Sequence, residues 1–438
     1  MPGQQHPLPR TLVADSVMPE GPNLATPTGV TSGTPGGPDP QRSRVLPWAD
    51  RPIAPGLIAL LAAVAFVLAR WQTWARGSIG RFILVGRHFA TPSQLPHGIP
   101  VAPTYGYDGQ FYYRLALDPL NLRTTAYGIR MDQPYRFMRI GYPALTWLLS
   151  LGQHLAVPIM LVAVNVVAIG AMGWLGGIFA RQAGRHALVG LLMPGYFGLI
   201  TSLSRDTAEP LAAACLLGGL LAIRARRPVL AALLLAYGAL TRETVMVAVA
   251  AIAIVRVSGV IRGQQPVRPS RDDLPWLVPT VVFVVWQAVL KAATGSFTLF
   301  ADSGRNAGTP FVAPLRALES NLARINLHHF GQIDLWLLEL AILIAFAAAA
   351  LACLRSTNAP AHERLAFVLF LIEICVVTPS TWNSLDADMR SFIEVYLLAV
   401  IIVLGTGRRT PVARLLPYLA AFTVPALVLV TERRLVGS

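Results

Sequence analysis

Lysine is almost absent from this chain: Lys291 is the only one among 36 basic residues, and the rest are arginine. Charge of any kind is scarce. Only 13% of the residues are Asp, Glu, Lys or Arg, about half the share of an ordinary soluble domain. Cysteine is thin as well. Cys215, Cys353 and Cys375 all lie inside apolar runs with no metal-ligand or redox spacing. That argues against a disulfide framework and leaves them as small buried hydrophobes. Also missing are the amphipathic periods by which a soluble fold of this length builds its core.

In their place stand unbroken apolar runs. The chain is 54% hydrophobic, and its runs of roughly 15–25 residues match a bilayer core of about 30 Å. The formal net charge is +14. Nucleic-acid binding is one source of such a balance. The arginines, however, cluster in short loops between apolar runs, which is the positive-inside pattern of a membrane protein. We therefore expect membrane lipids as partners and no nucleic acid. The high alanine and arginine content fits a GC-rich bacterial genome, so the bacterial plasma (inner) membrane is the expected location.

Residues 1–50 are rich in Pro, Gly, Thr and Ser and have no apolar periodicity. This composition reads as a disordered tail. No apolar signal segment precedes Ile53. Arg42, Arg44 and Arg51 flank the first apolar run, which predicts a cytoplasmic N-terminus. Residues 51–438 form the membrane domain. The expected spans begin with Pro55–Trp71, Val157–Phe179, Ala187–Leu203 and Pro210–Ile223. Two shortened helices follow, Pro228–Leu240 and Val245–Val255, meeting in a recessed turn at Thr241-Arg242-Glu243-Thr244. The later spans are Leu274–Leu290, Ile333–Leu354, Leu365–Val377, Phe392–Leu404 and Leu415–Val430. The fold class expected is all-α, a polytopic transmembrane bundle of about 11 spans. Its first exoplasmic loop, about 72–156, carries interfacial helices, among them the apolar segment Ile140–Leu151. That loop contains eight arginines from Arg76 to Arg139 and departs from the positive-inside pattern, as loops longer than about 60 residues do.

This topology gathers the polar motifs on one face. The first loop has Tyr105-Gly-Tyr107-Asp108-Gly-Gln110-Phe-Tyr112-Tyr113-Arg114. The next have Ser204-Arg205-Asp206-Thr-Ala-Glu209 and Thr241-Arg242-Glu243-Thr244. A later loop has Asp302, Arg305, Arg316, Glu319, Arg324, His328 and His329, and the last has Trp382-Asn383-Ser-Leu-Asp386-Ala-Asp388-Met-Arg390. Ionisable groups at membrane depth are costly and rarely idle, although Arg205 with Asp206 or Glu209, and Arg242 with Glu243, also read as helix-end ion pairs. Glu373 and Glu394, in or beside late spans, mark either a polar cavity or packing partners. Asp108 is the sharpest residue. Flanked by Gly106 and Gly109, it suits an exposed turn and a general base for an acceptor hydroxyl; a turn-forming aspartate is the plainer alternative. The surrounding tyrosines read as an interfacial belt or as a stacking surface for a sugar. His328-His329 lacks a ligand-spaced partner, and Asp386-x-Asp388 alone specifies no ion, so no metal and no cofactor are expected.

This layout resembles the GT-C superfamily of membrane glycosyltransferases. The resemblance rests on Gly106-Tyr-Asp108-Gly-Gln-Phe-Tyr-Tyr-Arg-Leu-Ala116, on Gly141-Tyr-Pro143, on Leu240-Thr241-Arg242 and on Asp388-Met-Arg390-Ser-Phe392. It is similar to the mannosyltransferases that use polyprenyl-phosphate sugars, with Tyr107 where those often have Trp. It covers about residues 55–405 in organisation and some 30 residues as motifs. The large soluble C-terminal domain of some members is absent, which argues against the oligosaccharyltransferase branch. The resemblance implies an inverting hexosyltransferase of the cell envelope. It would move a monosaccharide from a polyprenyl-phosphate donor to a hydroxyl of a glycan or lipid-linked acceptor at the exoplasmic face. Asp108 would be the base, and Arg205, Arg242 and Arg390 would hold the donor phosphate. Tyr107, Gln110, Tyr112, Asp206, Glu209 and Glu243 would bind substrate or orient those arginines. The rival readings are a multi-span transporter or lipid flippase, an O-antigen-type polymerase or ligase fed by a diphosphate donor, and a structural membrane protein.

Overall fold

In the computed structural model, residues 47–299, 308–324, 332–377, 382, 388–407 and scattered positions from 417 to 428 are described. They are mostly helical. The expected tail up to residue 46, the histidines His328 and His329, Asp302, Arg305 and Asp386 lie outside the described residues. At the tail's end, Pro47–Asp50 forms a 3-10 turn, and Asp50 bonds the Arg181 side chain and the Ala187 amide.

Among the described residues, four helices are long and apolar enough to cross a membrane: Ile53–Gln72, Val157–Gln182, Arg271–Thr294 and Trp336–Cys353. The first two, α1 (Ile53–Gln72) and α4 (Val157–Gln182), run antiparallel. Their axes approach because α4 presents glycine on the shared face. A Cβ at Gly173 would lie 2.5 Å from the Pro55 carbonyl, and one at Gly177 would lie 2.8 Å from the Pro52 carbonyl. This four-residue spacing of glycine is the usual device by which membrane helices pack backbone to backbone.

The loop between them carries α2 (Gly109–Leu117) and α3 (Gly141–Leu149). Two short ladders brace it: β1 (Val85–Gly86) parallel to β2 (Val101–Ala102), and β3 (Thr125–Ala126) antiparallel to β4 (Ile129–Arg130). Every residue of α2 is buried.

The expected span Ala187–Leu203 is not one helix. A 3-10 segment over Ala187–Leu192 is followed by Pro194-Gly195, Tyr196 is extended, and α5 (Phe197–Ser204) covers only the end. Hydropathy alone misses this break, because Pro and Gly interrupt a helix without adding charge. The paired short helices, in contrast, are present as expected. They are α7 (Pro228–Thr241) and α8 (Val245–Ile261), with Arg242 in extended conformation between them.

Ahead of α7 lies α6 (Glu209–Arg224), and the two run antiparallel, with Gly219 against Leu235 and Gly238 against Cys215. The further helices among the described residues are α9 (Leu274–Thr294), α10 (Val312–Leu322), α11 (Gln332–Cys353), α12 (Ala361–Val376) and α13 (Ile393–Leu404).

These pairings give the bundle two ends of different character. One end joins Asp50 to Arg181, Arg224 to Glu363, and Arg185 to the Thr406 carbonyl. The opposite end gathers the loop between α1 and α4, the α5–α6 junction, the α7–α8 turn and the start of α13. That second set is recessed. Asn165 donates to the Thr207 carbonyl, 3.0 Å away, from a position eight residues into α4, or about 12 Å along its axis.

Candidate functional site

Asp108 stands at the N-cap position of α2, yet its side chain makes no capping bond. Aspartate at this position usually accepts from the first-turn amides. Here the carboxylate is turned away, toward two arginines. Oδ1 lies 2.8 Å from Arg136 Nη2, and Oδ2 accepts from Arg390 Nη2. Arg390 also donates to Glu209 at 3.0 Å through Nη1. Arg136 is gripped from behind by Asp132, with Nε and Nη2 each 3.0 Å from a carboxylate oxygen. Burial pushes the Asp108 pKa up, but the Arg136 and Arg390 guanidinium groups outweigh it and hold the carboxyl well below the usual range. With both arginines on it, Asp108 is therefore a weak base.

The loop is held in place by close backbone approach. Gly106 adopts the left-handed conformation (φ +74°). Gln110, 1% exposed, locks the turn by accepting from the Gly86 amide and donating to the Tyr105 carbonyl, both at 3.1 Å. A Cβ on Gly109 would sit 2.3 Å from the Arg205 carbonyl oxygen and 2.8 Å from that of Ile83. This is what presses Asp108 against the α5–α6 junction. We expect Gly109→Ala to separate the two and to destabilise by about 1–3 kcal/mol. A thermal shift in detergent reads the stability, and an unchanged melting temperature would refute the packing argument.

The other sequence-selected residues divide by role. The Tyr107 ring centroid is 4.9 Å from the guanidinium carbons of both Arg205 and Arg390, within cation–π range. Glu209 is 2% exposed and also lies 3.3 Å from the Ser202 hydroxyl. Arg242 donates to Glu394 at 3.0 and 3.2 Å, and the Thr244 hydroxyl donates to the same carboxylate at 2.6 Å. Glu243 receives a two-pronged contact from Arg139, at 2.8 and 2.5 Å. Arg139 also reaches the Tyr112 hydroxyl at 3.4 Å, and Tyr112 packs edge-on against Tyr142. Asp206 is fully buried in the left-handed region (φ +49°), and both its oxygens lack a hydrogen-bond partner among the described residues. The charge acting on it is Arg70 of α1.

Asp108, Arg390, Glu209 and Tyr107 thus come together with Arg205 alongside, and Glu243 and Arg242 form flanking pairs. Gln110 is committed to the backbone at both ends of its amide. Gln110→Ala is expected to lower stability by about 1–3 kcal/mol, since it strands the buried Gly86 amide. It should leave the KM for any polar substrate unchanged in protein that folds, and a raised KM at normal stability would restore it as a contact.

The sequence reading missed Arg136, Arg139 and Asp132, and left Glu394 undecided. A signal was present. Two of the eight first-loop arginines, whose surplus broke the charge rule, meet carboxylates: Arg136 meets Asp108 and Asp132, and Arg139 meets Glu243. Arg114 instead donates to the carbonyls of Asn121 and Arg123.

Among the described residues, no group of three or more His, Cys, Asp or Glu side chains is arranged to hold a metal ion. An apolar cavity of about 830 Å3 has walls that run from Arg185 and His186 through Leu188, Leu192 and Pro194 to Ile200, with Ile58 and Ala62 of α1; the charged cluster does not line it. No protein-family model and no curated protein matches the chain.

Proposed function

We propose that this protein is an integral membrane glycosyltransferase. It would move a monosaccharide from a polyprenyl-phosphate donor to a hydroxyl of a glycan or lipid-linked acceptor. The observation that carries this reading is the convergence of Asp108 with Arg136, Arg390 and Glu209 around Tyr107, from segments up to 282 residues apart. A carboxylate beside a buried guanidinium pair supplies the two things an inverting transfer needs. One is a base on the acceptor side of the anomeric carbon, and the other is positive charge on the leaving-group side.

In the reaction the acceptor O–H gives its proton to Asp108 and its oxygen attacks the anomeric carbon. The bond from that carbon to the phosphate oxygen breaks, and polyprenyl phosphate leaves with the electron pair. Arg390 meets the charge that develops there, with Arg205 against the same Tyr107 ring. Guanidinium suits this because it stays protonated when buried and matches phosphate oxygens in pairs. Arg242 and Glu243 are tied to Glu394 and Arg139, so they act by holding the α7–α8 turn.

The apolar cavity fits the lipid tail of the donor. Ile200 in its wall precedes Arg205 by five residues, about 7–8 Å along a helix. Filling it with Ala62→Trp is expected to raise KM for a long-chain donor severalfold and to leave a short-chain donor unaffected. Equal effects on both would separate the cavity from the tail. In this reading the basic loops are cytoplasmic and the charged cluster opens to the exoplasmic side of a bacterial inner membrane, with about 11 crossings in all.

The test is transfer of radiolabel from polyprenyl-phosphate monosaccharides to membrane acceptors by purified protein in liposomes. Labelled product from the monophosphate donor supports the proposal. Product only from a diphosphate-linked oligosaccharide, or solute flux with no covalent product, would replace it with a polymerase or a transporter.

A further inference from the structure

We propose that the donor phosphate and the Asp108 carboxylate compete for one anion site formed by Arg136 and Arg390, so that donor binding is what releases the base. This rests on the glycosyltransferase reading above and adds Arg136 as a second phosphate ligand.

The geometry is that of a shared anion site. Each oxygen of Asp108 is taken by a different arginine, Oδ1 by Arg136 and Oδ2 by Arg390. A carboxylate has only two oxygens, and both are in use. Two further donors of the same pair, Arg136 Nη1 and Arg390 Nε, are buried without a hydrogen-bond partner among the described residues. The two side chains are only 9% and 10% exposed. Buried charged donors are seldom left unmatched. The donor's phosphodiester brings two charged non-bridging oxygens, enough to replace both carboxylate oxygens, and the polyprenyl phosphate that leaves has a third for a donor that Asp108 cannot reach.

The arginines do not depend on Asp108 to stay in place. Asp132 holds Arg136 through two contacts, and Glu209 holds Arg390. Asp108 can therefore leave without either arginine losing its only counter-ion, which a buried guanidinium would not tolerate. Once it leaves, the two arginines that weaken it as a base are held by the phosphodiester together with Asp132 and Glu209. Its basicity then returns only when there is a donor to attack, an order that protects the donor from water.

The test is equilibrium binding of a long-chain polyprenyl phosphate to the full-length protein in detergent or nanodiscs, with the neutral polyprenol as the tail-only control. Competition predicts that Asp108→Asn binds the phosphate more tightly than wild type, by roughly tenfold, within the usual range for coupled ligands. Arg136→Gln is expected to bind it more weakly. Asp132→Asn removes the same charge without removing a competitor, so it should not tighten binding. Asp108→Ala serves as the second variant if Asp108→Asn does not fold. Wild type that binds the phosphate, with Asp108 variants that bind it equally or more weakly, would overturn the competition and leave the transferase reading intact. Equal tightening in Asp132→Asn would also overturn it, as a general charge effect. Failure of wild type to prefer the phosphate over the polyprenol would remove both.

Discussion

Asp108→Asn is expected to lower sugar transfer by at least about a hundredfold, the lower end of what a positioned general base contributes. The amide is nearly isosteric, so packing against Arg136 and Arg390 persists while the proton acceptor is lost. The loss should fall on kcat, while the KM for donor falls, since the arginines that would take the phosphate are intact and have lost a competing carboxylate. Transfer from radiolabelled donor, measured for both proteins at matched folded concentration, decides it. Full activity in a correctly folded Asp108→Asn protein would remove the aspartate from the chemistry and leave it as a structural bridge between the first loop and the start of α13.

Arg242→Gln should have the largest effect on stability. Arg242 and Glu394 are 5% and 4% exposed and face each other across 152 residues of chain. Removing one member of such a pair leaves a buried charge without its partner, at about 3–5 kcal/mol. The Thr244 hydroxyl remains on Glu394 and offsets only part of this. Exchanging both members for apolar residues of similar size, Arg242→Met with Glu394→Leu, should recover most of the loss. Thermal unfolding in detergent of the two singles and the double forms the required cycle. A harmless Arg242→Gln would mean that the pair does not hold the α7–α8 turn, and would return Arg242 to the set of direct phosphate ligands.

The two experiments probe different layers of one constellation. Asp108, Arg136, Arg390 and Glu209 are the groups that would meet substrate. Arg139–Glu243 and Arg242–Glu394 fasten the α7–α8 turn to the first loop and to α13. A mutation in the fastening layer lowers activity by unfolding or displacement, so its activity loss should track its melting temperature. A mutation in the inner layer should not show that relation.

Much of the architecture was legible beforehand because it follows from local properties. Apolar runs such as Ile53–Gln72 and Val157–Gln182 form helices wherever they are placed, since in lipid the backbone must satisfy its own hydrogen bonds. The recessed turn at Arg242 was also legible: a single helix through it would have been too long and would have carried two charges at mid-membrane. The interruption at Pro194-Gly195 was less so, because hydropathy averages over it.

The site was legible residue by residue but not as a set of pairs. Sequence neighbours suggested Arg242 with Glu243 and Arg205 with Asp206. The structure crosses these partners: Arg242 goes to Glu394, Glu243 to Arg139, and Arg205 to the face of Tyr107. Adjacent side chains on an extended or turning backbone point apart, so a carboxylate finds its cation on another element. The amino-acid sequence by itself determined that the chain is helical and apolar, that its helices break at Arg242, and that its acids and arginines would collect at helix ends, because each of these is set by local composition and by the cost of charge in an apolar medium. Which arginine meets which acid, that Arg136 and Arg390 share Asp108, and that Gln110 is spent on the backbone were decided only by tertiary structure, because glycine contacts such as Gly109 against Arg205 set distances between segments that no local pattern encodes.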